Sequence, residues 1–147
     1  MSQHNIRNLS TLVALRNTEV ERLQTEMAEK ATLRDRYQKN LERLTGLYTN
    51  SGARGNLPLA LAGNCGDYKQ AVMQMADNHR LDLHMHEADM AVSQQALNAA
   101  WVKREVLGKV LSKQQQAVLQ QQNTLERKQH DELATQLWLR GQAAKAP

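Results

Sequence analysis

The stretch that decides the fold is TNSGARGNLPLALAGNCG, residues 49–66, which interrupts a chain otherwise suited to continuous helix. It holds four of the seven glycines and one of the two prolines. Glycine and proline are the residues that most disfavour the interior of a helix. The segments on both sides are rich in leucine, glutamine and charged residues, a composition typical of long helices. The sequence therefore predicts one turn between two helices.

The overall composition favours long helices over a globular core. Of the 147 residues, 41% are apolar and 23% are charged, phenylalanine is absent and aromatic residues make up 3%. Globular cores depend heavily on aromatic side chains, which this chain lacks. The single cysteine, Cys65, suits a reducing compartment. Because no apolar run approaches the roughly 20 residues that span a bilayer and no secretory leader is evident, we expect a cytoplasmic protein.

The segment before the break carries a heptad seam. Apolar side chains, with three basic exceptions, recur at alternating spacings of four and three residues. The seam positions are Leu9, Val13, Arg16, Val20, Leu23, Met27, Lys30, Arg34, Tyr37, Leu41, Leu44 and Tyr48. Such a pattern predicts a helix over about residues 10–48 that packs against a partner helix. Ser10 is a suitable N-cap, and Gly46 with the later glycines is expected to end the helix.

The segment after the break predicts a longer helix over about residues 67–140. Asp67 is a suitable N-cap, and Gly141 is expected to stop the helix. The predicted seam has two parts separated by a shift of phase. It opens with Tyr68, Val72, Met75 and His79, and it continues with Leu83, His86, Met90, Leu97, Arg104, Leu111, Val118 and Leu125.

Two helices joined by one loop predict an all-α fold, a long antiparallel two-helix coiled-coil hairpin whose second helix is longer than the first. We expect residues 1–147 to form a single domain with the loop over about 49–66. At 1.5 Å per residue, the helices would be roughly 60 Å and roughly 110 Å long. Pairing Tyr48 near Tyr68 then leaves the chain beyond Gly108 without a partner, where basic residues outnumber acidic ones. Such an overhang frays, dimerises or is enclosed by another protein.

The sequence offers no motif for catalysis or for a cofactor. The glycine-rich stretch lacks the lysine and hydroxyl residue of a phosphate-binding loop, and no nucleophile elbow or paired-cysteine zinc motif is present. We therefore expect a protein that is not an enzyme and binds no metal. The spread of acidic residues and the lack of a basic stripe interleaved with aromatics argue against nucleic acid as a partner.

The segment HRLDLHMHEAD, residues 79–89, is the richest polar cluster. We expect a polar surface with local His–Asp pairs; the alternatives are a pH-sensitive contact and a metal site that uses Asp82 and His86. Because His79 and His86 lie about 10 Å apart along a helix axis, they are too far apart to share one ion.

The order of these features resembles the FliJ family of bacterial flagellar export proteins and, more distantly, the stalk proteins of injectisome secretion. The opening L-x-x-L-x-x-L-R-x-x-E-V-E begins at Leu9, H-R-L-x-L begins at His79, and K-Q-H-D-E-L-A begins at Lys128. Trp101 falls near a typical tryptophan of the family. The similarity covers nearly the whole chain, although the loop is richer in glycine and the overhang richer in glutamine than the family pattern.

The resemblance implies a non-enzymatic, stalk-like component of the flagellar type III export apparatus. Its terminal end would sit in the ring of the export ATPase hexamer and promote the assembly and activity of that ring. Its hairpin end would contact the cytoplasmic domain of the membrane export gate. Export chaperones and the ATPase regulator are further implied partners, and the protein would reach the membrane only through its partners. A self-associating adaptor or chaperone, or an injectisome stalk, is the alternative.

The resemblance also assigns two sets of contact residues. The gate-docking stripe beside the turn comprises Tyr37, Leu41, Leu44, Tyr48, Tyr68, Val72, Met75 and His79. The ring-contact set in the overhang comprises Leu111, Val118, Leu125, Lys128, Leu133, Leu137 and Arg140. The gate-docking stripe can equally be read as part of the seam inside the hairpin.

Overall fold

The computed structural model describes the backbone of residues 2–50 and 59–145. This part of the chain forms two α-helices, α1 (Ser2–Asn50) and α2 (Leu59–Lys145), and contains no strand. The helices pack against each other and α2 is the longer, with 87 residues against 49. Their direction is antiparallel, because Lys30 of α1 contacts Asp89 of α2 whereas the later Tyr37 contacts the earlier His79. The predicted all-α hairpin is confirmed.

Helix α1 is longer at both ends than the sequence predicts. It begins at Ser2 rather than near Ser10, because Ile6 continues the seam spacing backward from Leu9 and both side chains are half-buried. It also continues through Gly46, where an added Cβ would meet no atom within 4 Å. A glycine disfavours a helix interior by only about 1 kcal/mol relative to alanine, which does not stop a helix that is packed along one face.

Helix α2 also extends beyond its predicted bounds. It begins at Leu59, so Gly63 and Gly66 lie in the helix and not in the loop, and it continues through Gly141 to Lys145. Leucine and alanine, which dominate residues 59–62, are among the best helix formers. Residues 49–50 of the predicted loop lie in α1, and its residues 51–58 lie outside the described residues.

The chain groups into two compact units, one of residues 1–17 with 102–147 and one of residues 18–101. Each unit combines part of α1 with part of α2. The single domain expected over residues 1–147 stays a prediction.

The unit of residues 18–101 holds every buried side chain in the described part of the chain. These are Val20, Val72, Ala76, Leu83, Met90 and Ala100, with Val20 fully buried. On α1, each predicted seam position from Val20 to Leu44 is buried or half-buried, which confirms the predicted heptad seam there. The half-buried basic members, Lys30 and Arg34, occupy seam positions as expected for side chains whose stems pack while their charges reach water.

On α2, the predicted phase shift of the seam is wrong. Tyr68 and Met75 are 46% and 57% exposed, whereas Lys69 is half-buried and Ala76 is 4% exposed. The seam here follows one unbroken four-three spacing. Its members are Cys65, Lys69, Val72, Ala76, His79, Leu83, His86, Met90, Ser93, Leu97 and Ala100. The small Ala76 side chain lets the two helix backbones approach closely, whereas the larger neighbouring side chain, Met75, faces solvent.

In the unit of residues 1–17 and 102–147, the helices meet further along α2 than predicted. Val13 lines a groove with Gly108 and Ser112, and Asn5 lines another with Val118 and Gln121. The overlap is longer because α1 begins about two turns earlier than expected. Every described residue from 119 onward is exposed, so the overhang is residues 119–145.

This boundary also corrects the expected charge of the overhang. Lys109 and Lys113 lie in the paired part of the unit, not in the overhang. The overhang carries four basic residues, Arg127, Lys128, Arg140 and Lys145, and three acidic residues, Glu126, Asp131 and Glu132. It is therefore nearly balanced in charge.

Candidate interaction surfaces

The gate-docking stripe does not form one exposed face. Tyr37, Leu41, Leu44 and His79 are half-buried in the seam, and Val72 is buried. Three members remain exposed, namely Tyr48 at 37%, Tyr68 at 46% and Met75 at 57%. Most of the stripe therefore belongs to the contact between the helices, and only these three members offer a substantial surface to a partner.

Two histidines of the seam bind the backbone of α1. His79 Nε2 lies 2.9 Å from the carbonyl oxygen of Tyr37, and His86 Nε2 lies 2.8 Å from that of Lys30. Because a carbonyl only accepts, both histidines donate from Nε2. The Tyr37 ring lies between them, with its centroid 5.1 Å from that of His79 and 5.7 Å from that of His86. The structure thus makes these histidines contacts between the helices.

The metal interpretation of the polar cluster gains no geometric support. Both Nε2 atoms are engaged by carbonyls. Within residues 2–50 and 59–145, no group of three or more histidine, cysteine, aspartate or glutamate side chains is arranged to hold an ion.

Lys30 joins the helices on the polar side of the seam. Its ammonium lies 2.8 Å from the carboxylate of Asp89 and 2.5 Å from the hydroxyl of Ser93. The hydrogen bond from Lys30, and secondarily its charge, lowers the pKa of Asp89 below the usual aspartate value. This pair is partly open to water, with side-chain exposures of 28% for Lys30 and 58% for Asp89.

The exposed members of the gate-docking stripe lie near the end of α1. Tyr68 and Met75 are seven residues apart, so they share one face of α2, and we name them the Tyr68–Met75 ridge. Tyr48 instead lines a small groove with Met73 and Ala76, and the Lys69 ammonium lies 5.3 Å from the centre of its ring. Met73 is 50% exposed and falls outside the predicted seam spacing, so the seam pattern does not identify it as a contact residue.

The ring-contact set divides at the point on α2 that lies beside the start of α1. Leu111 and Val118 are half-buried in the paired part of the unit, and Lys128 and Arg140 are exposed in the overhang. The overhang also exposes large apolar side chains, of which Leu125, Leu133 and Leu137 belong to the ring-contact set and the others do not. The exposed apolar residues of the overhang are Leu119 (57%), Leu125 (59%), Leu133 (58%), Leu137 (59%), Trp138 (63%) and Leu139 (55%).

The last apolar residues of the overhang are distributed around the helix. Leu137, Trp138 and Leu139 are consecutive, so each points about 100° away from the one before it. A helix with apolar residues on several sides is typically buried on several sides. The sequence held this signal, but a search for heptad spacing does not detect it.

Two helices packed through a seam, with large apolar side chains left in solvent, define a coiled-coil interaction protein. The family model of the flagellar FliJ protein matches residues 5–143, nearly the whole chain, so the chain belongs to the FliJ family and is a component of flagellar type III protein export. This family is non-catalytic. No curated protein and no solved structure matches the chain. Neither of the two described helices is both long and apolar enough to cross a membrane.

Proposed function

We propose that this protein is the stalk of the export ATPase, with the overhang held inside the ATPase hexamer. The observation that carries the proposal is the exposure of every described residue from 119 onward, large apolar side chains included. A single helix without tertiary contacts has little stability of its own in water. The overhang therefore calls for a partner, and membership of the FliJ family supports one within the export apparatus.

The distribution of apolar residues favours enclosure over pairing with one further helix. Leu137, Trp138 and Leu139 are 55% to 63% exposed and together cover more than half of the helix circumference. A partner helix buries only one stripe, whereas a ring contacts several sides. The nearly balanced charge of residues 119–145 makes this contact mainly apolar, with the basic residues aiding orientation.

The hairpin end is proposed to contact the cytoplasmic domain of the export gate. The Tyr68–Met75 ridge supplies exposed aromatic and thioether surface, and such side chains are enriched at protein interfaces. Tyr48 extends the surface toward the groove that Met73 lines. The buried Val72 and the half-buried members of the gate-docking stripe support this surface from within. In this arrangement the protein acts in the cytoplasm, at the membrane only through its partners, and export chaperones and the ATPase regulator are further partners.

Self-association through the overhang, as in an adaptor or an injectisome stalk, is the competing function. Its support is the same exposed apolar surface, which a second copy would also cover. A dimer of this kind would show as a doubled mass in solution.

The test is the ATP hydrolysis rate of the cognate flagellar export ATPase with and without this protein. We expect stimulation at about one molecule per six subunits, together with ring formation seen by electron microscopy. Leu125→Asp with Leu133→Asp should abolish the stimulation, because both side chains are exposed in the overhang at 59% and 58%. Leu15→Asp, at a position 62% exposed in α1, is the matched control and should stimulate normally.

The midpoint temperature of thermal unfolding shows whether a variant has lost only its contact with the ATPase or has lost its fold. Both variants should melt within about 2 °C of the wild type, since exposed positions contribute little to folding. A collapse of the midpoint in the overhang variant would mean that the overhang packs within the chain. Absence of stimulation at every ratio would refute the ATPase stalk and favour the adaptor.

A further inference from the structure

The unit of residues 18–101 carries a second apolar stripe on α2. Leu81, Met85 and Val92 are 60%, 65% and 66% exposed, although all three are large apolar residues. Ala88 and Ala99 are exposed as well. We name the set Leu81, Met85, Ala88, Val92, Gln95 and Ala99 the outer stripe.

The outer stripe has the spacing of a coiled-coil seam. Its members recur at alternating steps of four and three residues, as the buried seam does, and only Gln95 is polar. Leu81 falls midway between the seam residues His79 and Leu83, so the outer stripe lies on the side of α2 opposite to the buried seam. A four-three spacing keeps a stripe aligned with a second supercoiled helix over its whole length. Scattered exposed apolar residues would not show this alignment.

Three of the residues beside the outer stripe are acidic, and the others include His84, Ala91 and Asn98. Asp77, Asp82 and Asp89 occupy positions next to it, and no lysine or arginine does. Asp77 is paired with Arg80 at 2.7 Å and Asp89 with Lys30 at 2.8 Å. In the described part of the chain, no salt bridge involves Asp82, whose carboxylate is exposed.

From this geometry we propose that the outer stripe is a docking site for a partner helix with an apolar four-three seam flanked by lysine or arginine. The apolar seam of the partner would cover Leu81, Met85 and Val92, and Ala88 would allow the backbones to come close. Its basic flanks would pair with Asp82 and would compete with Arg80 and Lys30 for Asp77 and Asp89. The complementary charges would set the direction and register of the partner and raise its rate of association.

The same charges disfavour a second copy of this chain as the occupant. Antiparallel pairing of two outer stripes centred on Met85 and Ala88 would bring Asp82 opposite Asp89 of the other copy. Parallel pairing would bring Asp77 opposite Asp82 of the other copy. Like charges across such an interface are unfavourable.

The experiment uses two synthetic peptides of about three heptads with leucine at every seam position, one with lysine flanks and one with glutamate flanks. Fluorescence anisotropy with the full chain measures the affinity of each. We expect the lysine peptide to bind at least about tenfold more tightly than the glutamate peptide. Leu81→Gln with Met85→Gln should weaken binding of the lysine peptide by about tenfold or more.

Two further variants separate the apolar contact from the charge. Leu15→Gln removes a leucine of similar exposure, 62%, outside the outer stripe and should leave the affinity unchanged. Asp82→Lys should weaken the lysine peptide and strengthen the glutamate peptide. Circular dichroism of each variant should show the helix content of the wild type. If the double variant Leu81→Gln with Met85→Gln loses helix, Val92→Gln alone serves in its place and should also weaken binding of the lysine peptide.

Any of four results would overturn the proposal. One is no binding of the lysine peptide at about millimolar concentration. Another is equal affinity for the two peptides, or binding that no outer-stripe variant changes. The last is a dimer in sedimentation that Leu81→Gln with Met85→Gln dissociates, which would assign the outer stripe to a second copy.

Discussion

His79 and His86 are hydrogen-bond donors in a seam that otherwise consists mainly of apolar contacts. They lie seven residues apart and reach the carbonyls of Tyr37 and Lys30, which are also seven residues apart. A slip of the helices by one heptad would keep only one of the two bonds. The pair therefore specifies the register of the hairpin, a task that interchangeable leucines perform poorly.

We expect His86→Ala to lower the free energy of unfolding by about 1–2 kcal/mol, because it removes the bond to the Lys30 carbonyl and the contact with the Tyr37 ring. Urea denaturation followed by circular dichroism measures this change. His84→Ala is the control, since the His84 side chain is 75% exposed and should contribute less than about 0.5 kcal/mol. Equal effects of both substitutions would contradict the assignment.

The ion pair of Lys30 and Asp89 predicts a dependence of stability on pH. Lys30 lowers the pKa of Asp89 in the folded state, so the pair contributes stability above the usual aspartate pKa. That contribution is lost as the pH falls through the lowered pKa. We expect Asp89→Asn to melt at a lower temperature than the wild type at neutral pH, and the two melting temperatures to converge once the pH has fallen below the lowered pKa of Asp89.

Asp82→Asn is the matched control for this titration, because Asp82 is an exposed aspartate one heptad, about two helical turns, before Asp89. Its melting difference from the wild type should not follow the same course with pH. A gap between Asp89→Asn and the wild type that persists at low pH would show that the effect is not due to the ion pair.

Helix α2 shows where a pattern of apolar residues identifies a seam and where it fails. On α1 the large apolar side chains from Leu9 to Tyr48 fall mainly on one phase, so the seam was evident from the sequence. On α2 they fall on several faces, and Tyr68 and Met75 suggested the wrong phase. The true members Lys69 and Ala76 are polar or small, so hydrophobicity gave no signal for them.

The corrected seam predicts that Ala76→Leu destabilises the hairpin and Met75→Leu does not. Ala76 is 4% exposed, so three added carbons must be accommodated against α1, at a cost of about 1–3 kcal/mol. Met75 is 57% exposed and its substitution should change stability by less than about 0.5 kcal/mol. Urea denaturation of the two variants measures the change in the free energy of unfolding. A larger loss of stability in Met75→Leu than in Ala76→Leu would favour the seam phase that contains Tyr68 and Met75.

The ends of the helices were the least predictable feature at this scale. Gly46 and Gly141 were expected to end α1 and α2, yet both lie within the helices. A glycine ends a helix only when the residues after it adopt another conformation, so the glycine alone does not predict the end of the helix. The start of α1 also differs from its prediction, at Ser2 instead of near Ser10, which is why the overhang begins at residue 119 and not at residue 109.

For the whole molecule, we expect two activities carried by different residues. The proposed gate contact uses the Tyr68–Met75 ridge, whereas the proposed ATPase contact uses residues 119–145. Tyr68→Ala with Met75→Ala should therefore impair binding to the cytoplasmic domain of the gate and leave ATPase stimulation intact. Pull-down of the gate domain and the hydrolysis rate measure the two effects on one protein preparation.

Leu33→Ala is the control for that variant, since Leu33 is exposed at 41% and lies outside both the ridge and the groove beside Tyr48. It should bind the gate domain more tightly than the double variant does. Loss of both activities in the double variant, with normal helix content, would mean that the ridge supports the hairpin and is not a docking surface.

The bare helix beyond residue 118 also has a consequence for the lifetime of the protein in the cell. A helix without tertiary contacts opens readily, and proteases cleave opened backbone far more often than packed backbone. A copy whose overhang is covered by a partner would be spared, whereas a surplus copy would be trimmed from this end first. Proteolysis of unbound copies would then match the amount of this protein to the number of partner binding sites.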